Sequence, residues 1–460
     1  MHGSAALTVA QTIAQMAAFL MAWSVARGMG DVLYGQFAAA YALATSIAAL
    51  ADSGVRITLI REVARNCTAW KRLLHHALVI SLALAVIVSV GFFVVVVIQE
   101  SAEHQSLRLW LLLFALLWTG MRIILGVPAG HQRLIAVAVW GAVERLGGAL
   151  LVSGLAFLTD ASLLHLAQWL CLWEAGVLVC VWSWTHAQGW PVEERNGGTL
   201  SCFAKLAIPF GIAGAVQAVL GRLDLIVLGF QQPPAETGYY AAAQMLALIA
   251  VFLGIAVANA LFPTLSRLAK DHAVNRARTL LEPALGLLGL MMAVVAAAIA
   301  GMAEPLLTWV YGDSFAHGWK WLAIFSMASP LAVLGAMTGA VIGAWGWQTR
   351  WAKTLVMVFM AALPVYWLFG TWLGMWGVIS ANIMVQIALA GVAWRWMYGA
   401  GLAEAWWLPR LLLTMSLLGG YVFVVHGWLL VLAPLLAVAL VFLMRVCQPR
   451  WLGMALRLIR

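Results

Sequence analysis

Runs of about twenty apolar residues follow one another almost end to end through this 460-residue chain, and no other feature narrows its possible folds so far. A run of that length crosses a hydrocarbon core of about 30 Å as a helix. Composition agrees: 64% of residues are hydrophobic and 9% charged, against roughly 25% charged in soluble domains. Too little polar surface is left to cover a soluble core. The chain reads as an all-α polytopic membrane protein.

Fourteen spans fit the pattern, at 5–26, 36–55, 77–98, 107–127, 134–157, 163–185, 203–229, 239–262, 280–302, 319–344, 351–369, 374–397, 408–426 and 428–445. In the last pair only His426 and Gly427 mark the turn. Charge placement tests the count, because loops on the inner side are enriched in Lys and Arg. With the N-terminus inside, Arg56, Arg61, Arg65, Lys71 and Arg72 follow span 2, and Arg267, Lys270, Arg276 and Arg278 follow span 8. Twenty-one Lys and Arg fall on that side, and only Arg27, Arg108 and Lys320 on the other. Both termini are therefore expected in the cytoplasm, and the net charge of +9 reflects topology. It does not point to nucleic acid, which would need a folded soluble basic face. The basic loops also suit anionic lipid headgroups.

No cleavable leader is expected, since Met1 to Leu7 has no cationic stretch and the first apolar run is of span length. The five cysteines, Cys67, Cys171, Cys180, Cys202 and Cys447, show neither zinc spacing nor a disulfide framework.

Two stretches 203 residues apart read alike. Tyr34-Gly35-Gln36-Phe37-Ala38-Ala39-Ala40-Tyr41 is echoed by Thr237-Gly238-Tyr239-Tyr240-Ala241-Ala242-Ala243-Gln244, and basic exits follow both spans. Six spans per half make the repeat parallel, related by an axis along the membrane normal. The expected domains are a six-helix bundle over 1–186, a cytoplasmic linker over 187–202, a second six-helix bundle over 203–400, and two further helices with a tail over 401–460. Connections on the outer side are short, which argues against polysaccharide polymerases or ligases.

Ionisable groups at bilayer depth cost at least about 2.5–3.5 kcal/mol each and so face a cavity or a partner. Arg145 lies near the middle of span 5, and Glu174 is midway along span 6. Glu144 is offset by about 100° around the helix from Arg145, so the two are not expected to meet face to face. Arg145 either lines a cationic cavity or joins a buried pair with Glu174 or Glu144. Gln217, Gly221 and Asp224 follow an i, i+4, i+7 pattern in span 7 and are expected to share one face, with Arg222 pointing elsewhere. Asp224, Glu174 and Glu144 are the candidates for coupling to an ion. Arg122, in the inner part of span 4, is a cavity cation or an interface anchor. Thr8, Gln11, Thr12 and Gln15 form an uncharged polar stripe on span 1 that lines a path or bonds to neighbouring helices. The numerous tryptophans, Trp345, Trp347, Trp351, Trp372 and Trp376 among them, suit membrane interfaces and also sugar stacking.

Catalytic and nucleotide-binding motifs are absent, and the histidines have no metal-ligand spacing. Neither enzyme activity, metal nor cofactor is expected. Energy for transport would come from an ion gradient or the membrane potential.

The residues resemble the lipid-linked oligosaccharide (O-antigen, Wzx-like) flippases of the multidrug/oligosaccharidyl-lipid/polysaccharide (MOP) exporter superfamily. The resemblance lies in Gly28-Met29-Gly30-Asp31-Val32-Leu33-Tyr34-Gly35-Gln36-Phe37, Ala51-Asp52-Ser53-Gly54-Val55 and Arg61-Glu62-Val63-Ala64-Arg65. It continues in Gly221-Arg222-Leu223-Asp224, Leu261-Phe262-Pro263-Thr264-Leu265-Ser266 and Leu307-Thr308-Trp309-Val310-Tyr311-Gly312. It implies a MATE-like pair of six-helix bundles enclosing a hydrophilic cavity, in a bacterial inner membrane. Such proteins move a polyprenyl-pyrophosphate-linked oligosaccharide outward for cell-surface polysaccharide, including lipopolysaccharide, in company with polymerase machinery. Arg145, Arg122 and Arg222, with Gln15 and Gln217, would then contact the phosphates and sugars, although no family motif marks these positions. Two other readings stand beside this one. A drug or cation exporter of the same superfamily usually carries an acid in span 1, which is missing here. A non-transporting scaffold for a glycosyltransferase complex would keep the charges in a dry interface.

Overall fold

The computed structural model describes residues 2–52, 54–99, 102–158, 162–192 and 199–403. The expected spans at 408–426 and 428–445, the tail, and residues 193–198 of the expected linker lie outside the described residues. Within them the regular structure is helical. The helices are α1 (His2–Met29), α2 (Asp31–Asp52), α3 (Val55–Arg65), α4 (Trp70–Gln99), α5 (Ala102–Ile124), α6 (Gly126–Gly130), α7 (Leu134–Leu158) and α8 (Leu163–Ala187). There follow α9 (Leu200–Leu220), α10 (Leu223–Gln231), α11 (Pro234–Lys270), α12 (Val274–Gly301), α13 (Ala303–Tyr311), α14 (Trp319–Ala344), α15 (Gln348–Leu373) and α16 (Met375–Gly399). Ten helical stretches are long and apolar enough to span a membrane, and two bent pairs bring the total to twelve among the described residues. Each of the first twelve expected spans falls on one of them.

The chain divides into two compact units, Met1–Gly238 and Tyr239–Arg460. In the first, α2 is the central helix and packs against α1, α4, α5, α9 and α10. α1 runs along α7, and α5 along α8. The stretches containing α2 and α5 are the most buried of this unit, whereas α1, α4 and α7 leave much of their apolar surface facing outward, as lipid requires. The connection after span 2 is itself the amphipathic helix α3, whose Val55, Leu59 and Val63 are buried while Arg61 and Arg65 are not. Gly54 makes the corner between α2 and α3 at a φ of 76°, and a Cβ there would lie 2.3 Å from the Gly211 nitrogen of α9. Only glycine meets both demands.

The two glycines of the sequence echo meet inside this unit. A Cβ on Gly35 would lie 1.7 Å from the Pro234 carbonyl oxygen, and one on Gly238 would lie 2.2 Å from the Asp31 oxygen. The starts of α2 and α11 therefore cross backbone to backbone, as small residues allow. This contact gives the shared Gly–aromatic motif a physical reason.

In the second unit α14 is buried along most of its length and packs against α12 and α16, while α15 and α16 pair along each other. Leu281, Leu285, Met292, Leu334, Met337 and Val341 belong to its apolar core. Buried hydroxyls on α14 donate to their own helix, Ser326 to the Leu322 oxygen at 2.7 Å and Ser329 to the Ser326 oxygen at 2.8 Å. Helical backbone carbonyls so satisfy polar groups that lipid could not.

Candidate functional site

Charged side chains converge in the first unit from five helices, α2, α3, α5, α7 and α8. The site begins on α7, where Glu144 and Arg145 are adjacent. Glu144 is 7% exposed, and its Oε2 accepts a hydrogen bond from Arg145 Nε at 3.1 Å. Of the two buried pairs that the sequence left open for Arg145, the one with Glu144 is formed despite the angular offset. Nε lies part-way along the arginine, and both side chains bend over the same turn to bring it to the carboxylate. Trp173 of α8 fixes that turn: its Nε1 donates to the Glu144 carbonyl at 3.1 Å. Its ring lies so close over Gly147 that a Cβ there would be 1.9 Å from a ring carbon. Next on α8 comes Glu174, 1% exposed, with an Oε1 that has no hydrogen-bond partner. Together with Tyr41 of α2, Met21 of α1 and Phe114 of α5, these residues line a small cavity of about 20 Å³, the room of a water molecule or so.

A second cluster adjoins the first. Asp52, at the end of α2, is 5% exposed and receives Arg122 Nη2 of α5 at 2.8 Å on Oδ2. Arg56 Nε approaches Oδ1 at 3.2 Å, an ion contact without hydrogen-bond alignment. Trp118 of α5 joins the clusters, with the guanidinium carbons of Arg122 and Arg145 at 4.8 Å and 4.7 Å from its ring centroid. Such contacts between cation and indole face are attractive. Asp52, Arg56 and Trp118 are absent from the sequence-derived candidates. The signal for Trp118 is its place one helical turn before Arg122. For Asp52 it is an acid at the end of span 2, on the side of the membrane where Arg122 is expected near the end of span 4.

Of the remaining candidates none lines the cavity, although the charge of Arg222 reaches Tyr41 in its wall. Gln15 and Gln217 are exposed on α1 and α9. The helix expected over 203–229 is broken, with its two pieces inclined by 45°. The Gly221 N–H returns to the Gln217 oxygen at 3.1 Å and ends α9, and Arg222 takes the N-cap position of α10 at φ −132° and ψ 0°. Gln217 and Asp224 therefore lie on different helices, and the shared face expected from the i, i+4, i+7 spacing is not formed. Arg222 is exposed. Asp224 is 1% exposed and sits in the first turn of α10, where a carboxylate suits the helix dipole; its Oδ1 accepts from the Leu225 N–H at 2.8 Å.

Chemically, the cavity offers a guanidinium already offset by one carboxylate and a second carboxyl with an acceptor position open. An anion can displace Glu144 from Arg145, and a proton or cation can fill the place at Glu174. Arg145 meets Glu144 through Nε alone, and its two Nη nitrogens have no other protein partner among the described residues.

The profile of the polysaccharide biosynthesis protein family matches residues 1–269, more than half of the chain. Comparison with curated proteins by sequence finds no match. Among solved structures, the chain is similar to the lipid II flippase MurJ in an inward closed conformation, at 12% identity over 99% of both chains and a TM-score of 0.68. It is also similar to a multidrug resistance MATE family transporter of the MOP superfamily in an inward-facing conformation. There the identity is 14%, the coverage 85% of this chain and 94% of that one, and the TM-score 0.66. A MOP superfamily transporter from Pyrococcus furiosus matches at 14% identity, over 87% and 95% of the two chains, with a TM-score of 0.56. At such identities the likeness is one of fold, and the fold is the all-helical, MATE-like architecture anticipated above.

Proposed function

We propose, from the premise that this chain belongs to the polysaccharide biosynthesis protein family, that it is a secondary-active flippase for a polyprenyl-(pyro)phosphate-linked oligosaccharide. It works by alternating access in the bacterial inner membrane with both termini cytoplasmic, and it serves cell-surface polysaccharide such as O-antigen. The observation that carries this reading is the cavity of the first unit, where Arg145 keeps unused donors beside Glu144 and Glu174 inside an otherwise apolar bundle. Buried ion pairs are a poor source of stability, since well-packed apolar residues commonly replace them without loss. Five charged groups at depth, each costing about 2.5–3.5 kcal/mol or more to insert, are therefore better accounted for by use.

In the proposed cycle Arg145 receives a phosphate through its Nη nitrogens, with Arg122 close behind, while the lipid tail stays in the bilayer. Glu174, with Glu144, is the coupling group for a proton or cation, and Asp224 ranks behind them because it lies away from the cavity. The fold neighbours named for flipping lipid II and for drug resistance support transport as the class. A second reading, export of an organic cation, draws on the open acceptor at Glu174. The guanidinium in the same cavity opposes it.

The test is to delete the protein and ask in which leaflet lipid-linked glycan collects. Accumulation in the cytoplasmic leaflet with loss of surface polysaccharide is expected. Unchanged surface polysaccharide without accumulation would sink the proposal.

A further inference from the structure

Trp118 brings together two guanidiniums from different helices. Their central carbons lie 4.8 Å and 4.7 Å from the centroid of its ring, so they are within 9.5 Å of each other, the sum of the two distances. Like charges this close repel in a medium of low dielectric. Each is offset by its own carboxylate, Asp52 for Arg122 and Glu144 for Arg145. The indole adds the attraction of its face, the strongest among the aromatic side chains.

Three details distinguish this ring from ordinary core packing. Its Nε1 is buried without a hydrogen-bond partner, so the residue is not held by its polar atom. Phe114, one turn earlier on α5, stacks on it at 6.2 Å and 12°, with Tyr41 of α2 packed behind Phe114 at 5.9 Å. The ring is thus fixed in place by its aromatic neighbours. Finally, the contact of a cation with a ring face occupies no hydrogen-bond acceptor, so it leaves the guanidinium's N–H donors for other partners. Arg145 gives Glu144 only Nε, and Arg122 gives Asp52 only one Nη, leaving the other donors of both without a protein partner among the described residues.

We propose that Trp118 is a positioning residue that holds Arg122 and Arg145 as a single dicationic unit presented to an anionic headgroup. The proposal rests on the reading above that this cavity receives phosphate. Trp118 itself need not touch the ligand; it sets the spacing and orientation of the two groups that do.

Two measurements on the purified full chain in detergent test it. The first is ligand-free: thermal unfolding midpoints of Arg122→Gln, Arg145→Gln and the double variant, each with Trp118 present and with Trp118→Leu. Joint positioning predicts that the two arginine substitutions are non-additive with Trp118 and become additive without it. The second reads the affinity of undecaprenyl diphosphate by thermal shift. Trp118→Leu is expected to weaken it about tenfold, the size of one desolvated cation–π contact. Trp118→Phe, which keeps a ring face, should restore most of the loss, a rescue that a purely volume-filling role would not show. If Trp118→Leu does not fold, Trp118→Met keeps the volume without the face and takes its place. Additive arginine effects with Trp118 present, or equal affinities for the Phe and Leu variants, would overturn the proposal. A wild-type protein that ignores undecaprenyl diphosphate yet shows the non-additive cycle would overturn the phosphate reading and support the two-arginine unit.

Discussion

The two compact units share a helical plan but fill their interiors with different chemistry. Around one cavity and its neighbour the first unit places Asp52, Arg122, Glu144, Arg145 and Glu174, all in or against the apolar bundle. A hollow in the second unit, about 10 Å³, is lined by Leu285, Leu288, Gly289, Met292 and Met337 with neighbouring Pro and Val. Intramembrane polarity there takes neutral forms, such as Gln386 Nε2 donating to Asn382 Oδ1 at 2.5 Å on α16. An ion pair of this unit, Arg278 Nε to Glu282 Oε1 at 2.6 Å, lies near the start of α12 and is partly exposed. Two helical units of one chain therefore differ in whether charge is buried among their helices. Helix length and close-packed glycines satisfy the membrane in both units, and the costly charged cluster lies in the first.

That contrast yields a graded set of tests. The largest effect is expected where the repeat is most literal. Gly35→Ala drives a Cβ into a backbone carbonyl that no rotamer change can move. A loss above about 3 kcal/mol, the upper range for overpacking, should remove folded protein from the membrane; normal abundance would break the link between the echo and the helix crossing. Met337→Ala in the apolar hollow is next. It should cost about 2–5 kcal/mol of stability while leaving the affinity for undecaprenyl diphosphate unchanged in the surviving protein. A changed affinity would place ligand chemistry in the second unit as well. Glu174→Gln should leave the fold in place and abolish stimulation of transport by an imposed ion gradient, an effect of at least about fivefold if coupling runs through this group. Retained stimulation would move coupling to another residue, Asp224 first. The smallest effect is expected for Arg278→Ala. Its partly exposed pair contributes no more than about 1 kcal/mol, and transport should be unaltered.

Much of the helical plan was legible in the sequence because each span reports on itself. Twenty apolar residues need no knowledge of their neighbours, and the first twelve expected spans fall on helices. Arg145, Glu144 and Glu174 were also legible, since an ionisable residue mid-span stands out against its surroundings. What escaped was whatever depends on contacts across the bundle. Asp52 looked like a helix end until Arg122 was seen to reach it from α5, and Trp118 was one tryptophan among 25. The break at Gly221 escaped for a different reason. Its i, i+4, i+7 neighbours fit an unbroken helix, and only the backbone bonds that close α9 there reveal the turn. The choice between Glu144 and Glu174 as partner of Arg145 was left open because angular offset counts Cβ directions and ignores the reach of long side chains.

Leaflet-resolved transport of a polyprenyl-diphosphate-linked glycan in proteoliposomes, comparing wild type with Arg145→Ala at equal reconstituted amounts, bears most directly on a charged cavity that handles the headgroup. Removal of a charge that binds an anion in a desolvated site costs about 2 kcal/mol or more, so the account predicts a fall of about thirtyfold or greater in the variant. An unchanged rate in folded, fully incorporated Arg145→Ala protein would contradict it.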